Sequence, residues 1–131
     1  MKIFNATQHN ATSAQINAGV LDLAVAGQPG WLKDLLTFDS LPSAEEINER
    51  CEKIVTNIET EIFTVCDYAA DGYAVMIGGA PWLMTALLRA FSERGIRTCF
   101  AFSQRESEEE IVDGVVVKRS QFVHKGFIVN H

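Results

Sequence analysis

The sequence predicts an α/β fold: a single domain with a mostly parallel sheet flanked by helices, a C-terminal β-hairpin and a closing strand. Three stretches carry that prediction. Tyr73 to Ile77 is an unbroken apolar run, the pattern of a strand buried on both faces. Gly78 and Gly79 break the run, and Pro81 suits the first turn of a helix, where a missing N–H is harmless. Leu83, Ala86, Leu87, Ala90 and Phe91 then recur on one helical face, Arg89, Ser92 and Glu93 lie off it, and Gly95 stands where a C-cap is expected. A second apolar run, Thr98 to Phe102, follows at once, so the segment reads as a right-handed β-α-β unit. The other two stretches lie toward the ends. Lys2 to Ala6 is a short opening strand that closes in Thr7, Gln8, His9 and Asn10, and polar residues there suit the ligand edge of an α/β sheet. Asp113-Gly114 between apolar runs is a strong hairpin signal.

The remaining elements follow from caps and periodicity. Thr12 or Ser13 can cap a short helix through Ala14 to Ala18, with Gly19 to end it. Val20 to Ala26 reads as a second strand, followed by a turn over Gly27 to Gly30 and a short amphipathic helix over Trp31 to Phe38. Ser43 with Glu46 three residues on makes a capping box, and the helix behind it runs to about Glu59 or Ile62 with Ile47, Cys51, Ile54, Val55 and Ile58 facing inward. Phe63 to Ala69 fits a helix end or a strand, and Ala70-Asp71-Gly72 is a turn. After Phe102 a polar turn is expected over Ser103 to Ser107, then an acidic edge, then the hairpin. Phe122 to Val129 is the last strand, interrupted by His124 and Lys125.

Composition excludes several classes. A chain of 131 residues can bury an ordinary core. Its net charge of -6 argues against a partner as large as long nucleic acid, while leaving room for a small nucleotide held by local donors. Cys51, Cys66 and Cys99 are an odd count without metal-ligand spacing, which points to reduced thiols. No apolar run approaches the ~18 residues of a membrane span, and no signal peptide is evident. A cytoplasmic protein with no membrane partner, no metal and no cofactor is therefore expected. Asn5-Ala-Thr and Asn10-Ala-Thr match the glycosylation pattern by chance on this reading. The sequence has no Ser-His-Asp elbow, no H-E-x-x-H and no Walker lysine, so hydrolase, zinc protease and ATPase chemistry have no motif to rest on.

One candidate site is visible. Backbone N–H groups from Gly79 to Trp82 would leave the helix N-terminus toward a ligand, with no β-carbon at 78 or 79 in the way. Ser103 and Arg105, past the next strand, would fall on the same edge of the sheet. His9, just past the first strand, can donate to a phosphate or transfer a proton, or be an ordinary exposed turn residue. Lys118, Arg119, His124 and Lys125 form a basic cluster in an acidic chain. They either reach over that edge or form a charged edge strand that discourages aggregation. The glycine turn itself can equally be a plain strand-to-helix connection.

The run IGGAPWLMTALLRAF followed by a strand and FSQRES, with the opening T-Q-H and the closing F-V-H-K-G-F-I, resembles small CRISPR-associated proteins of the CARF superfamily, whose domain is Rossmann-like, in particular the stand-alone ring nucleases. The resemblance covers both termini and the centre and leaves Val20 to Ala70 aside. It implies a homodimer that binds a cyclic oligoadenylate across its two-fold axis, and in some members cleaves it without an obligatory metal by attack of a ribose 2′-OH on the adjacent phosphate. On this chain Gly78, Gly79 and Ala80 would cradle phosphate, Thr7 and Gln8 would bind ligand, and Ser103 and Arg105 would form the polar turn. His9, Ser103 and His124 would be the catalytic candidates, with Arg105 and Lys125 stabilising charge. The acids Glu106, Glu108, Glu109 and Glu110 depart from this expectation, since they would repel a polyanion unless they face away. A non-catalytic nucleotide-binding regulator, or an interaction module using the fold only as scaffold, are the alternatives.

Overall fold

The computed structural model describes residues 1–23, 30–65 and 72–130. Chain order is β1 (Lys2–Ala6), α1 (Ser13–Asn17), β2 (Val20–Asp22), α2 (Trp31–Leu36), α3 (Ala44–Val65), β3 (Tyr73–Ile77), α4 (Pro81–Glu93), β4 (Thr98–Val112) and β5 (Val115–Val129). The strands form one sheet in the order β2-β1-β3-β4-β5. The first four are parallel and β5 runs antiparallel to β4. This is the mixed α/β class the periodicities predict, but the expected closing strand is not a separate element: Phe122 to Val129 is the far end of β5, the hairpin's own second strand.

Alternation along the strands divides the core in two. Phe4, Ala6, Val75 and Ile77 face the helices, where they meet Ile54, Val55, Ile58 and Ile62 of α3 and Leu83, Leu87 and Phe91 of α4, all fully buried or nearly so. Ile3, Val20, Ala74, Met76 and Cys99 face the other way, against Ala11, Phe127 and Val129. The helix ends form from local residues, though the expected box at Ser43 is only half made. The Ser43 hydroxyl accepts the Glu46 N–H at 3.1 Å, while the Glu46 carboxylate reaches Arg50 at 2.9 Å. Gly95 adopts φ 70° past α4, and the Ile96 N–H closes onto the Phe91 carbonyl at 2.9 Å, a Schellman closure.

Arg50 has a role that no periodicity exposes. Its guanidinium donates to the carbonyls of Asp34, Leu35 and Thr37 and lies 4.2 Å over the Phe38 ring. Those carbonyls belong to the end of α2, so Arg50 ties α2 and its following loop to α3.

The largest departure from expectation lies in β4 and β5. Ser103 to Ser107 is strand, not turn, and the acidic run continues it to Val112. Two strands of 15 residues pair from Cys99↔Val129 to Val112↔Val115 around an Asp113-Gly114 turn with φ 52° and 79°. β4 pairs with β3 only through Thr98 and Cys99. Beyond that the hairpin is a free two-stranded ribbon, about 33 Å from Ser103 to the tip at ~3.3 Å per residue. The acids oppose the basic cluster across it: Glu108 faces Arg119, Glu109 faces Lys118, and Glu106 pairs with Lys125 at 2.5 Å. Of the two fates for the basic cluster, the charged edge strand is the one formed. The charges meet one another, and neither set crowds the strand ends of the sheet.

Three expectations fall partly outside the described residues: the end of the second strand at 24–26, the turn over 27–30, and the segment at 63–71 with its turn. Within them, α3 continues as helix to Val65 and β2 is described over Val20–Asp22. Cys66 also lies outside.

Candidate functional site

β1 leads leftward to β2, and β3 leads rightward to β4. The connections therefore diverge between β1 and β3, which is where an open α/β sheet leaves a crevice at its carboxyl edge. The structure has a cleft of about 560 Å3 there, lined by residues 7–10, by Thr12 and Gln15, by Met76 to Gly79, and by Phe100 and Ala101 of β4. Its mouth is polar and its floor apolar, and its size suits a small organic ligand.

The polar wall is built by Asn5, a residue the sequence reading passed over except as a chance glycosylation match. Asn5 is 5% exposed and stands opposite Asp22 in the β1–β2 register. Its amide nitrogen donates to the Asp22 carboxylate at 2.8 Å and to the His9 carbonyl at 2.7 Å, while its oxygen accepts the Thr7 N–H at 3.0 Å and the Thr7 hydroxyl at 2.7 Å. The same Asp22 oxygen takes the Ala11 N–H at 3.0 Å. One buried amide thus fixes the whole turn from Thr7 to Ala11, and every polar group of that amide is satisfied. The signal in the sequence is an asparagine inside an apolar strand, directly before a polar turn.

Thr7 lines the cleft but turns its hydroxyl back to Asn5. Thr12 and Gln15 are likewise engaged with each other, as the capping box of α1: the Gln15 N–H donates to the Thr12 hydroxyl at 3.2 Å, and the Thr12 N–H donates to the Gln15 side-chain Oε1 at 3.0 Å. Gln8, His9 and Asn10 remain. Only the backbone of His9 is used in the Asn5 network, so its exposed imidazole is left to the cleft. Among the described residues it is the one titratable side chain in the lining.

The opposite wall is the glycine turn. Gly79 has φ 150°, and a β-carbon there would touch Met84 Cε at 3.4 Å. At Gly78 a β-carbon would meet Thr7 Cγ2 at 3.4 Å, so the two walls approach closely at this point. Ala80 is the N-cap of α4 and supplies no side-chain cap; Pro81 has no N–H and the Leu83 N–H bonds the Ala80 carbonyl at 3.0 Å, so in the first turn it is the Trp82 N–H that is left to an outside acceptor.

The other expected residues stand apart from the lining. Ser103 and His124 face each other across the base of the ribbon, two residues beyond Ala101. His124 packs on Phe127 at 4.8 Å, and its Nδ1 is shielded from solvent without a hydrogen-bond partner. Arg105 lies two residues farther out, its guanidinium 6.0 Å over the Phe122 ring, and Lys125 is held by Glu106. The strand ends therefore bring Thr7, Gln8, His9, Gly78 and Gly79 into one cleft, with Ala80 next to them. Ser103, Arg105, His124 and Lys125 form a second group along the ribbon base. Among the described residues no cluster of three or more Cys, His, Asp or Glu side chains could hold a metal ion, and no helix is long and apolar enough to cross a membrane.

These features define an α/β protein with a preformed polar-mouthed cleft at the switch point of its sheet. The chain belongs to the family described as the uncharacterized protein MJ1673 family, whose model matches residues 1–128. No curated protein and no solved structure matches it.

Proposed function

We propose that the cleft between β1 and β3 binds a cyclic oligoadenylate as a Rossmann-like, CARF-type domain does, with two protomers sharing one ring. The observation that carries this reading is the coincidence of the polar turn after β1 and the glycine turn before α4 in one cleft at the switch point. A phosphate would take the Trp82 N–H at the head of α4 and the backbone of the glycine turn before it, and a base would lie on the apolar floor of Met76, Ile77 and Phe100. In cleavage, His9 accepts the proton of the attacking 2′-OH or delivers one to the leaving 5′ oxygen, and the helix N-terminus stabilises the charge gathering on phosphorus. Ser103 and His124, next along β4 and β5, would act on the part of the ring that extends beyond the cleft.

A second reading is binding without cleavage, by a nucleotide-dependent regulator. It is favoured by the cleft holding, among the described residues, one titratable side chain where acid and base catalysis uses two. One experiment addresses both. The protein is incubated with cyclic tri-, tetra- and hexa-adenylate, with and without manganese; thermal shift reads binding and mass spectrometry reads cleavage. Linear product that falls in His9→Ala or His124→Ala establishes the nuclease, a shift with intact ring establishes the regulator, and neither a shift nor product sinks both.

A further inference from the structure

At the base of the ribbon β5 carries one residue more than β4. Phe102 pairs with Gly126 and Ser103 with His124, so Lys125 has no partner across the ladder, and Gly126 takes φ 148° beside it. Such a bulge re-aims the side chains that follow it. Cys99, Ala101, Ser103 and Arg105 alternate onto one face of β4. On β5, Val129 and Phe127 stand opposite Cys99 and Ala101 and pack in the same core cluster as Cys99. The bulge then turns His124 and Phe122, opposite Ser103 and Arg105, onto that same face, where the His124 ring meets Phe127 at 4.8 Å. Ala101 also lines the cleft, so this face continues the cleft wall.

The two faces of the ribbon base differ in chemistry. The face that continues the cleft carries the Ser103 hydroxyl, the His124 imidazole and the Arg105 guanidinium, which among the described residues is paired with no carboxylate. Glu106, Glu108 and Glu110 alternate onto the other face, where Glu106 holds Lys125 and Glu110 holds Arg119. The acid on the donor face, Glu109, lies two rungs past Arg105 and opposite Lys118.

The two nitrogens of His124 are not equivalent. Nδ1 is shielded from solvent and has no hydrogen-bond partner, while the residue as a whole is partly exposed, so Nε2 is the nitrogen that meets solvent. A neutral imidazole carries its proton on one nitrogen. On Nδ1 it would be a buried N–H without an acceptor, the rarer kind of orphan in folded proteins, so the neutral ring keeps its proton on Nε2. We infer that His124 is a fixed hydrogen-bond donor through Nε2–H, and that with Ser103 and Arg105 it forms a subsite for a phosphoryl group beside the cleft. Nε2 then has no lone pair with which to take a proton, so His124 orients the ligand and proton transfer stays with His9. The inference rests on the anionic ligand of the proposed function and assigns what one residue does in holding it.

The test begins with the full chain free of ligand. Imidazole nitrogen NMR at about pH 8.5, above the ordinary imidazole range, should show His124 Nδ1 bare and Nε2 protonated. Titration with inorganic phosphate should then shift the His124 Nε2 and Arg105 side-chain resonances together. In His124→Gln the amide nitrogen takes the place of Nε2, and phosphate affinity read at Arg105 should stay within about two-fold of wild type. In His124→Asn the amide reaches only the Nδ1 position, and affinity should fall roughly ten-fold. A proton found on Nδ1 overturns the inference, as does a phosphate titration that leaves both resonances still, or a glutamine variant as weak as the asparagine one. Should the asparagine variant misfold, the wild-type spectrum and the glutamine variant decide. Phosphate held by the donor row in a protein that takes up no oligoadenylate would sink the proposed ligand and spare the subsite. Oligoadenylate cleavage that His124→Gln abolishes, with the wild-type proton on Nδ1, would do the reverse.

Discussion

Strand β4 passes through two environments, and its residues do different work in each. At its start Thr98 and Cys99 are buried between β3 and β5, Cys99 at 1% exposure. From Ser103 onward the same strand has one neighbour and solvent on both faces, with Ile111 and Val112 exposed at its end. In the body, burial of an aliphatic side chain contributes ~1.5–3 kcal/mol. In the ribbon, a cross-strand pair contributes ~0.2–1 kcal/mol. Strands of five residues such as β1 and β3 therefore suffice in the body. The ribbon needs length and opposed charges.

This contrast can be broken most decisively in the body. Leu87→Ala opens a cavity between α4 and the sheet and should lower stability by ~2–5 kcal/mol in urea unfolding, whereas Val116→Ala at the tip should change monomer stability by less than ~0.5 kcal/mol. Equal effects would show that the ribbon is part of the core. Asn5→Ala should cost ~1–2 kcal/mol, because it removes the acceptor of the Thr7 N–H and the donor to the His9 carbonyl from a nearly buried position, and it should weaken cleft binding more than overall folding.

The thiol of Cys99 gives a pH-dependent comparison. Burial pushes it from its ordinary 9.0 up to about 11, and burial together with the Glu52 carboxylate raises Cys51 as well. A raised thiol pKa favours the neutral form in the folded state, so its contribution is complete below pH 9 and disappears as the pH climbs to about 11. The fall in unfolding free energy across that interval should be up to ~2.7 kcal/mol smaller in Cys99→Val than in wild type. An identical pH profile would show that the thiol does not titrate from a buried site.

Smaller effects probe the ribbon itself. Gly114→Ala forces a β-carbon onto φ 79° and should cost ~1 kcal/mol of hairpin order, read as amide exchange from Ser103 to Gln121, without shifting the main melting transition. Glu110→Gln removes the exposed partner of Arg119, 3.4 Å away, and should change stability by no more than ~0.5 kcal/mol.

Much of the body is legible in the chain because its signals are local. The α4 stripe with its Gly95 closure, the Ser43 cap and the Asp113-Gly114 turn each depend on residues within a few positions of one another. The glycine turn and the polar turn were legible for the same reason, and the rule that strand ends form sites put them on one edge. Asn5 and Arg50 were not legible as organisers. Asn5 acts through Asp22, 17 residues away, and Arg50 through carbonyls at 34–37, and no periodicity links such pairs. The length of β4 was hidden because Glu106 to Glu110 reads as a solvated turn until Lys118, Arg119 and Lys125 are placed opposite.

By itself, then, the sequence determined the α/β class, most of the caps, and the polar and glycine turns that meet at the cleft, since hydrophobic period and backbone freedom act over short range. Only the tertiary structure decided which charges neutralise one another, which amide holds the His9 turn, and that Ser103 and His124 face each other beside the cleft rather than within it. Those outcomes depend on the register between strands, which is fixed by packing between residues far apart in the chain.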